Sequence, residues 1–152
     1  MSPSIIKRNA LTIAGVSGDG NQTGAVWESF MKLSGERPLV NRLSDSGYEI
    51  RLYNGDSCEV HVGYAVPRSF DDEAYTTRTL PASAYASFDV FVANGYDSEN
   101  NAMVEWLEGN REYDERLLGS SHYCVEYYDE RFHGDETDSI VEIWVPIQKR
   151  EN

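Results

Sequence analysis

The chain has 152 residues and a formal net charge of −13, from 13 basic and 26 acidic side chains. A field of that sign repels nucleic-acid phosphates and anionic lipid surfaces, so direct DNA, RNA or membrane-surface binding is not expected, and cationic partners are favoured. Hydrophobic residues at 40 % and aromatic residues at 12 % argue against global disorder and for one domain with a packed core.

Tyrosine outnumbers phenylalanine, 10 to 5, which suits a half-wet surface because the ring is apolar and its tip polar. The N-terminus M-S-P-S-I-I-K-R-N lacks the apolar core of a signal peptide. No apolar stretch approaches the roughly 20 residues of a membrane span, so a soluble, cytoplasmic protein is expected. The two cysteines, Cys58 and Cys124, have no C-x-x-C spacing and are expected to be reduced thiols.

In chain order, A-L-T-I-A-G-V (10–16) reads as a strand, followed by the glycine-rich turn S-G-D-G-N-Q-T-G. Val26, Trp27, Phe30 and Leu33 then recur at helical spacing, with Thr23 or Asn21 as the expected cap and Gly35 as the end. Y-E-I-R-L-Y (48–53) and E-V-H-V-G-Y-A-V (59–66) flank Asn54-Gly55, a hairpin signal. A-Y-T-T-R-T-L (74–80) is a further strand, broken by Leu80-Pro81. The second half repeats the order. A strand at 85–93 is followed by a turn, then by a helix striped with Met103, Trp106 and Leu107, which Asp97 or Ser98 is expected to cap. Strands at 122–129 and 139–147 close the chain. Strand, helix, strand, strand thus occurs twice, in pseudo-repeats of about 8–80 and 81–150. The expected fold is α+β, a single domain of two similar halves sharing a mainly antiparallel sheet with two helices and a central cleft.

Most chemical motifs are missing. The glycine-rich turn places Gly18, Gly20 and Gly24 off the dinucleotide spacing, and no Gly-Lys-Ser/Thr follows. His61, His122 and His133 are scattered singly, so no metal and no cofactor is expected. No G-x-S-x-G or calcium-loop pattern occurs, and no catalytic residue is assigned.

The informative stretch is I-V-E-I-W-V-P-I (140–147), a β-forming run with Glu142 at its centre. If the last two strands form a hairpin centred near Gly134, Glu126 opposes Glu142, and period-two alternation places Glu126, Tyr128, Glu142 and Trp144 on one face. A slip of one residue in this long loop loses the shared face. Two carboxylates on a half-buried face require a shared proton or a cation. Neighbouring rings hold an organic cation at about 0.5–2 kcal/mol each. The alternative is that Glu142 pairs with an internal arginine such as Arg51 or Arg78, and position alone does not choose between the two.

The strand-turn-helix opening, L-P-A-S-A-Y-A-S-F (80–88), W-L-E-G-N, V-E-Y-Y-D (125–129) and V-E-I-W-V-P-I (141–147) fall in the order seen in GyrI-like, or AraC-type, effector-binding domains, which nearly the whole chain resembles. The resemblance implies a cleft between two pseudo-symmetric halves that binds small molecules, often lipophilic cations, through an acidic residue and aromatics. It implies Glu142 as the cleft glutamate and Glu126 and Tyr128 in the preceding motif strand. Trp144 follows by strand parity, and Tyr85 and Trp106 are further wall candidates. Many relatives carry a preceding DNA-binding helix-turn-helix. Here the domain starts by about residue 10, so a standalone receptor or sequestering protein for organic cations is the expected function. Alternatives are a hydrolase of reactive electrophiles, using cleft acids and tyrosines, and an inhibitor that binds a protein partner such as DNA gyrase. Exposed strand edges make a homodimer a further expectation.

Overall fold

The computed structural model describes residues 3–134 and 136–151, except the side chains of 96–99. Nine strands and two helices follow in the order β1 (Ser4–Arg8), β2 (Leu11–Asp19), α1 (Thr23–Glu36), β3 (Gly47–Asn54), β4 (Ser57–Val66), β5 (Thr76–Leu80), β6 (Ser83–Phe91), α2 (Tyr96–Gly109), β7 (Tyr113–Glu115), β8 (His122–Tyr128) and β9 (Ile140–Lys149). One antiparallel sheet runs β1-β6-β9-β8-β3-β4-β2-β5, and β7 pairs the far end of β9. The fold is α+β with a strand-helix-strand-strand unit in each half, and β3 and β8 pair where the halves meet.

Two elements were not foreseen. β1 is short and polar enough to leave no apolar signal, yet it pairs β6 from Ser4↔Ser87 to Arg8↔Ser83. β7 has three residues. The expected caps of α1 are corrected. Gln22 stands at the cap position without a side-chain hydrogen bond, and a 3-10 turn over Gly20–Gln22 leads into the helix, with the Asp19 carboxylate accepting from Asn21 N. The Thr23 hydroxyl instead donates to Gly20 O at 3.0 Å. The capping expectation for Asp97 and Ser98 falls outside the described side chains. Asn54 and Ser57 pair across the β3–β4 hairpin, and Gly55 supplies the positive φ, 62°, that its two-residue loop requires.

Each helix covers the outer strands of its own half. Val26 and Phe30 of α1 pack on Ala14, Val60 and Val62, and Met103 of α2 packs with Phe88, Val90 and Ile143. The opposite face of the sheet needs no second layer because the sheet curls. One cluster joins Ile13 and Leu80 near one end of the strand order with Tyr85 near the other, around Ile50, Val125 and Trp144. On the helix side the central pair β3–β8 lies between α1 and α2, and a cleft opens over it.

Candidate functional site

The cleft has a volume of about 750 Å³. Its floor is the helix-side face of β3 and β8, where alternation presents Glu49, Arg51 and Tyr53 beside Cys124, Glu126 and Tyr128. Thr23 of α1 stands on one side, and Met103, Val104 and Leu107 of α2 on the other. Ile143 and Val145 of β9 extend the apolar lining, and Glu115 with His122 closes one end, their side chains 2.5 Å apart.

Glu49 lies directly opposite Glu126 in the β3–β8 register, and both are buried, at 3 % and 9 % exposure. Glu49 accepts from Trp27 Nε1 of α1 at 2.8 Å and from the Arg51 guanidinium at 3.1 Å. Glu126 takes the Tyr128 hydroxyl at 3.3 Å and hydrogen-bonds Glu49. Burial pushes the Glu126 carboxyl up to about 9, helped by that hydrogen bond and by the Glu49 charge, with Arg51 and Tyr128 acting the other way. At neutral pH Glu126 is therefore held in its protonated form, facing Glu49. Burial likewise pushes the Cys124 thiol up to about 12, so it is not a nucleophile. Among the described residues no group of His, Cys, Asp and Glu is arranged to hold a metal ion.

The structure brings together only part of the expected site. β8 pairs β9 as Val125↔Trp144, Glu126↔Ile143 and Tyr127↔Glu142. This differs by one residue from a register that sets Glu126 opposite Glu142, and it corrects the shared face. Glu126 and Tyr128 line the cleft, whereas Glu142 and Trp144 lie on the other side of the sheet with Tyr127. Between the two strands Ile140 N donates to Arg131 O and His133 N to Ser139 Oγ.

On that other face Glu142 is already ion-paired with Arg131, which also bonds Asp129 and Asp89, and with Arg8. Arg131 reaches one oxygen at 2.6 Å, and Arg8 (3.4 Å), Ser87 Oγ (2.7 Å) and Trp144 Nε1 (2.7 Å) reach the other. Burial opposes ionisation, but those hydrogen bonds and the Arg131 charge prevail and hold the carboxyl below its ordinary range. Arg8 also stacks 3.8 Å from the centre of the Trp144 ring. The alternative of an internal ion pair thus describes Glu142, but its partners are Arg131 and Arg8. Arg51 pairs with Glu49 and Arg78 with Glu59. Tyr85 is buried on this same face, bonded to the Tyr123 hydroxyl at 3.1 Å. Trp106 sits on α2 with its ring edge-on to Phe88, outside the cleft lining.

Glu49, Arg51 and Trp27 were not foreseen as site residues. The signal for Glu49 was present, since Y-E-I-R-L-Y carries an acid among β-forming residues just as the Glu142 strand does.

The family model for the GyrI-like small-molecule-binding domain matches residues 1–148. Among solved structures, SAV2435 bound to tetraphenylphosphonium is similar over 97 % of this chain and 94 % of its own, with a TM-score of 0.69 and 16 % identity. A putative transcription regulation protein from Staphylococcus aureus MU50 gives a TM-score of 0.60 at 15 % identity, over 97 % of this chain and 99 % of that one. EcmrR, in complex with DNA, gives 0.67 at 15 % identity, over 97 % of this chain and 57 % of that one. No curated protein sequence matches the chain.

Proposed function

The chain belongs to the family of GyrI-like small-molecule-binding domains, and from that premise we propose that the cleft between α1 and α2 binds amphipathic organic cations. The observation that carries this reading is the facing pair Glu49 and Glu126 on the floor of a cleft whose apolar walls include Met103, Leu107, Ile143 and Val145. Its volume lies within the roughly 300–1,000 Å³ typical of small-molecule sites. The apolar walls take the ligand's bulk, Tyr53 and Tyr128 add aromatic rings to the lining, and Glu126 supplies the counter-charge. The tetraphenylphosphonium held by SAV2435 is a ligand of this chemistry.

Calorimetric titration with tetraphenylphosphonium tests the reading. Saturable 1:1 binding is expected, and Glu126→Gln weakens it about tenfold or more, roughly 1.4 kcal/mol. Binding that is absent, or equal in the variant, refutes it. No helix among the described residues is long and apolar enough to cross a membrane.

One observation favours a second reading. A protonated Glu126 beside Glu49 and the Tyr128 hydroxyl is equipped for general-acid chemistry on a strained, electrophilic ring. Mass spectrometry of an epoxide panel decides it. Turnover no greater than that of Glu126→Gln removes the hydrolase reading.

A further inference from the structure

We propose that the cleft exchanges a proton for its cation: the proton held on Glu126 beside Glu49 leaves as the ligand seats, so that affinity rises with pH. This rests on the cation-binding reading above and specifies how that site is regulated.

The argument is one of charge balance among the groups that face Glu126. From β3 come Glu49 and Arg51. All five N–H donors of Arg51 are committed: Nε to the Tyr53 hydroxyl (3.2 Å), one terminal nitrogen to Thr23 Oγ1 and Glu49 (both 3.1 Å), the other to Gly20 O (3.2 Å) and Cys58 Sγ (3.6 Å). Arg51 therefore cancels Glu49 and has no donor left for Glu126. From β8 come Cys124, a neutral thiol, and the Tyr128 hydroxyl. Among the described residues, β9 and α2 bring the apolar side chains Ile143, Met103 and Leu107 to the cleft, and Asn100 of α2 adds a neutral amide to its lining. The Trp27 indole of α1 is engaged by Glu49. His122 and Glu115 bond each other at the end of the cleft.

Among the described residues a second negative charge on the floor thus has no cationic partner, only the Tyr128 hydroxyl, and stands next to the first, which is why the unliganded cleft keeps a proton there. An organic cation supplies the missing charge. The Glu126 O–H bond then breaks heterolytically, its electron pair stays on the carboxylate, and the proton passes to bulk solvent. The ligand's cost of entry includes that ionisation, which shrinks as pH rises. Between pH 6 and 8 the dissociation constant is expected to fall by up to about 100-fold, tenfold per unit. The pairing also selects by charge. Neutral isosteres displace no proton, and their affinity stays flat with pH.

Tetraphenylphosphonium is the probe because its charge is permanent and it cannot itself titrate. Calorimetry at pH 7 in phosphate and in Tris, which differ in ionisation enthalpy, reads the protons released per ligand bound. About one is expected, together with the pH-dependent affinity. Glu126→Gln, isosteric and already neutral, is expected to bind more weakly, with heat independent of buffer and affinity independent of pH. Tetraphenylphosphonium that binds the wild-type chain with buffer-independent heat and pH-independent affinity overturns proton exchange while leaving the cation reading intact. Release that persists in Glu126→Gln comes from another group and overturns it too. Failure to bind at any pH removes the cation reading itself, and the exchange with it.

Discussion

Replacing Glu126 by Gln in the empty protein isolates the energetic consequence of burying two facing carboxyls. In the unfolded chain a glutamate titrates near 4.3. In the folded chain Glu126 is pushed up to about 9. Between those values the native state binds one more proton than the unfolded state, so stability falls as pH rises, by up to about 1.4 kcal/mol per pH unit, and the loss levels off above the folded value. From pH 6 to 8 this is up to about 3 kcal/mol. Gln keeps the volume, and its amide N–H can donate to Glu49 in place of the acid O–H, but it has no proton to lose. For a chain of this size 1 kcal/mol corresponds to about 2–4 °C in Tm, so the Tm of Glu126→Gln relative to wild type is expected to climb by roughly 6–12 °C between pH 6 and 8. Thermal unfolding followed by circular dichroism at several pH values measures it. Other groups, including His61, whose neutral form burial favours, titrate in both proteins and cancel in the difference. A Tm difference that stays constant across this range refutes the proton on Glu126.

Glu142→Gln is expected to cost about 1–3 kcal/mol, because it leaves Arg131 and Arg8 facing an amide, while tetraphenylphosphonium affinity stays unchanged; lost binding would return Glu142 to the site. Since the Glu142 carboxyl is held below its ordinary value, its stabilisation is complete above the unfolded pKa of about 4.3 and is lost as pH falls through the folded value, so the gap between this variant and wild type in urea unfolding should close in acid. Gly63→Ala should destabilise by more than about 4 kcal/mol, or prevent folding, because a Cβ there meets the backbone oxygen of Ala14 at 2.0 Å and neither β2 nor β4 can move away from its partner; a soluble variant of near-native Tm contradicts this packing. Val104→Lys, at a half-exposed α2 position lining the cleft, should weaken cation binding several-fold at low salt, and the effect should shrink at about 1 M salt, where the screening length is about 3 Å; equal affinity at both ionic strengths argues against a cation in the cleft.

The elements that carry their own periodicity were legible in the sequence. Val26, Trp27, Phe30 and Leu33 announce α1, and the Asn54-Gly55 hairpin and the doubled strand-helix-strand-strand order follow from local signals. What the sequence left open was register. Parity within one strand fixes which residues share a face, so Glu126 goes with Tyr128 and Glu142 with Trp144. Relating those faces across two strands needs the pairing offset, and the long loop 129–139 does not encode it in any local pattern. Nor could hydrophobicity decide. β9 is buried on both faces, with Val141, Ile143, Val145 and Ile147 toward α2 and Trp144 toward the curled interior, so either assignment satisfies the apolar residues. The same signal, an acid inside a β-forming run, occurs at Glu49 and at Glu142. The difference between them is the cation supply on each face. Arg131, which also bonds Asp129 and Asp89, and Arg8 both donate to Glu142, whereas the guanidinium bonded to Glu49 has all its donors committed and gives none to Glu126. The proposed site lies where the arginine donors, counted carboxyl by carboxyl among the described residues, leave a buried carboxyl without one. That count becomes available only once strands distant in sequence, β3 and β8, have been paired.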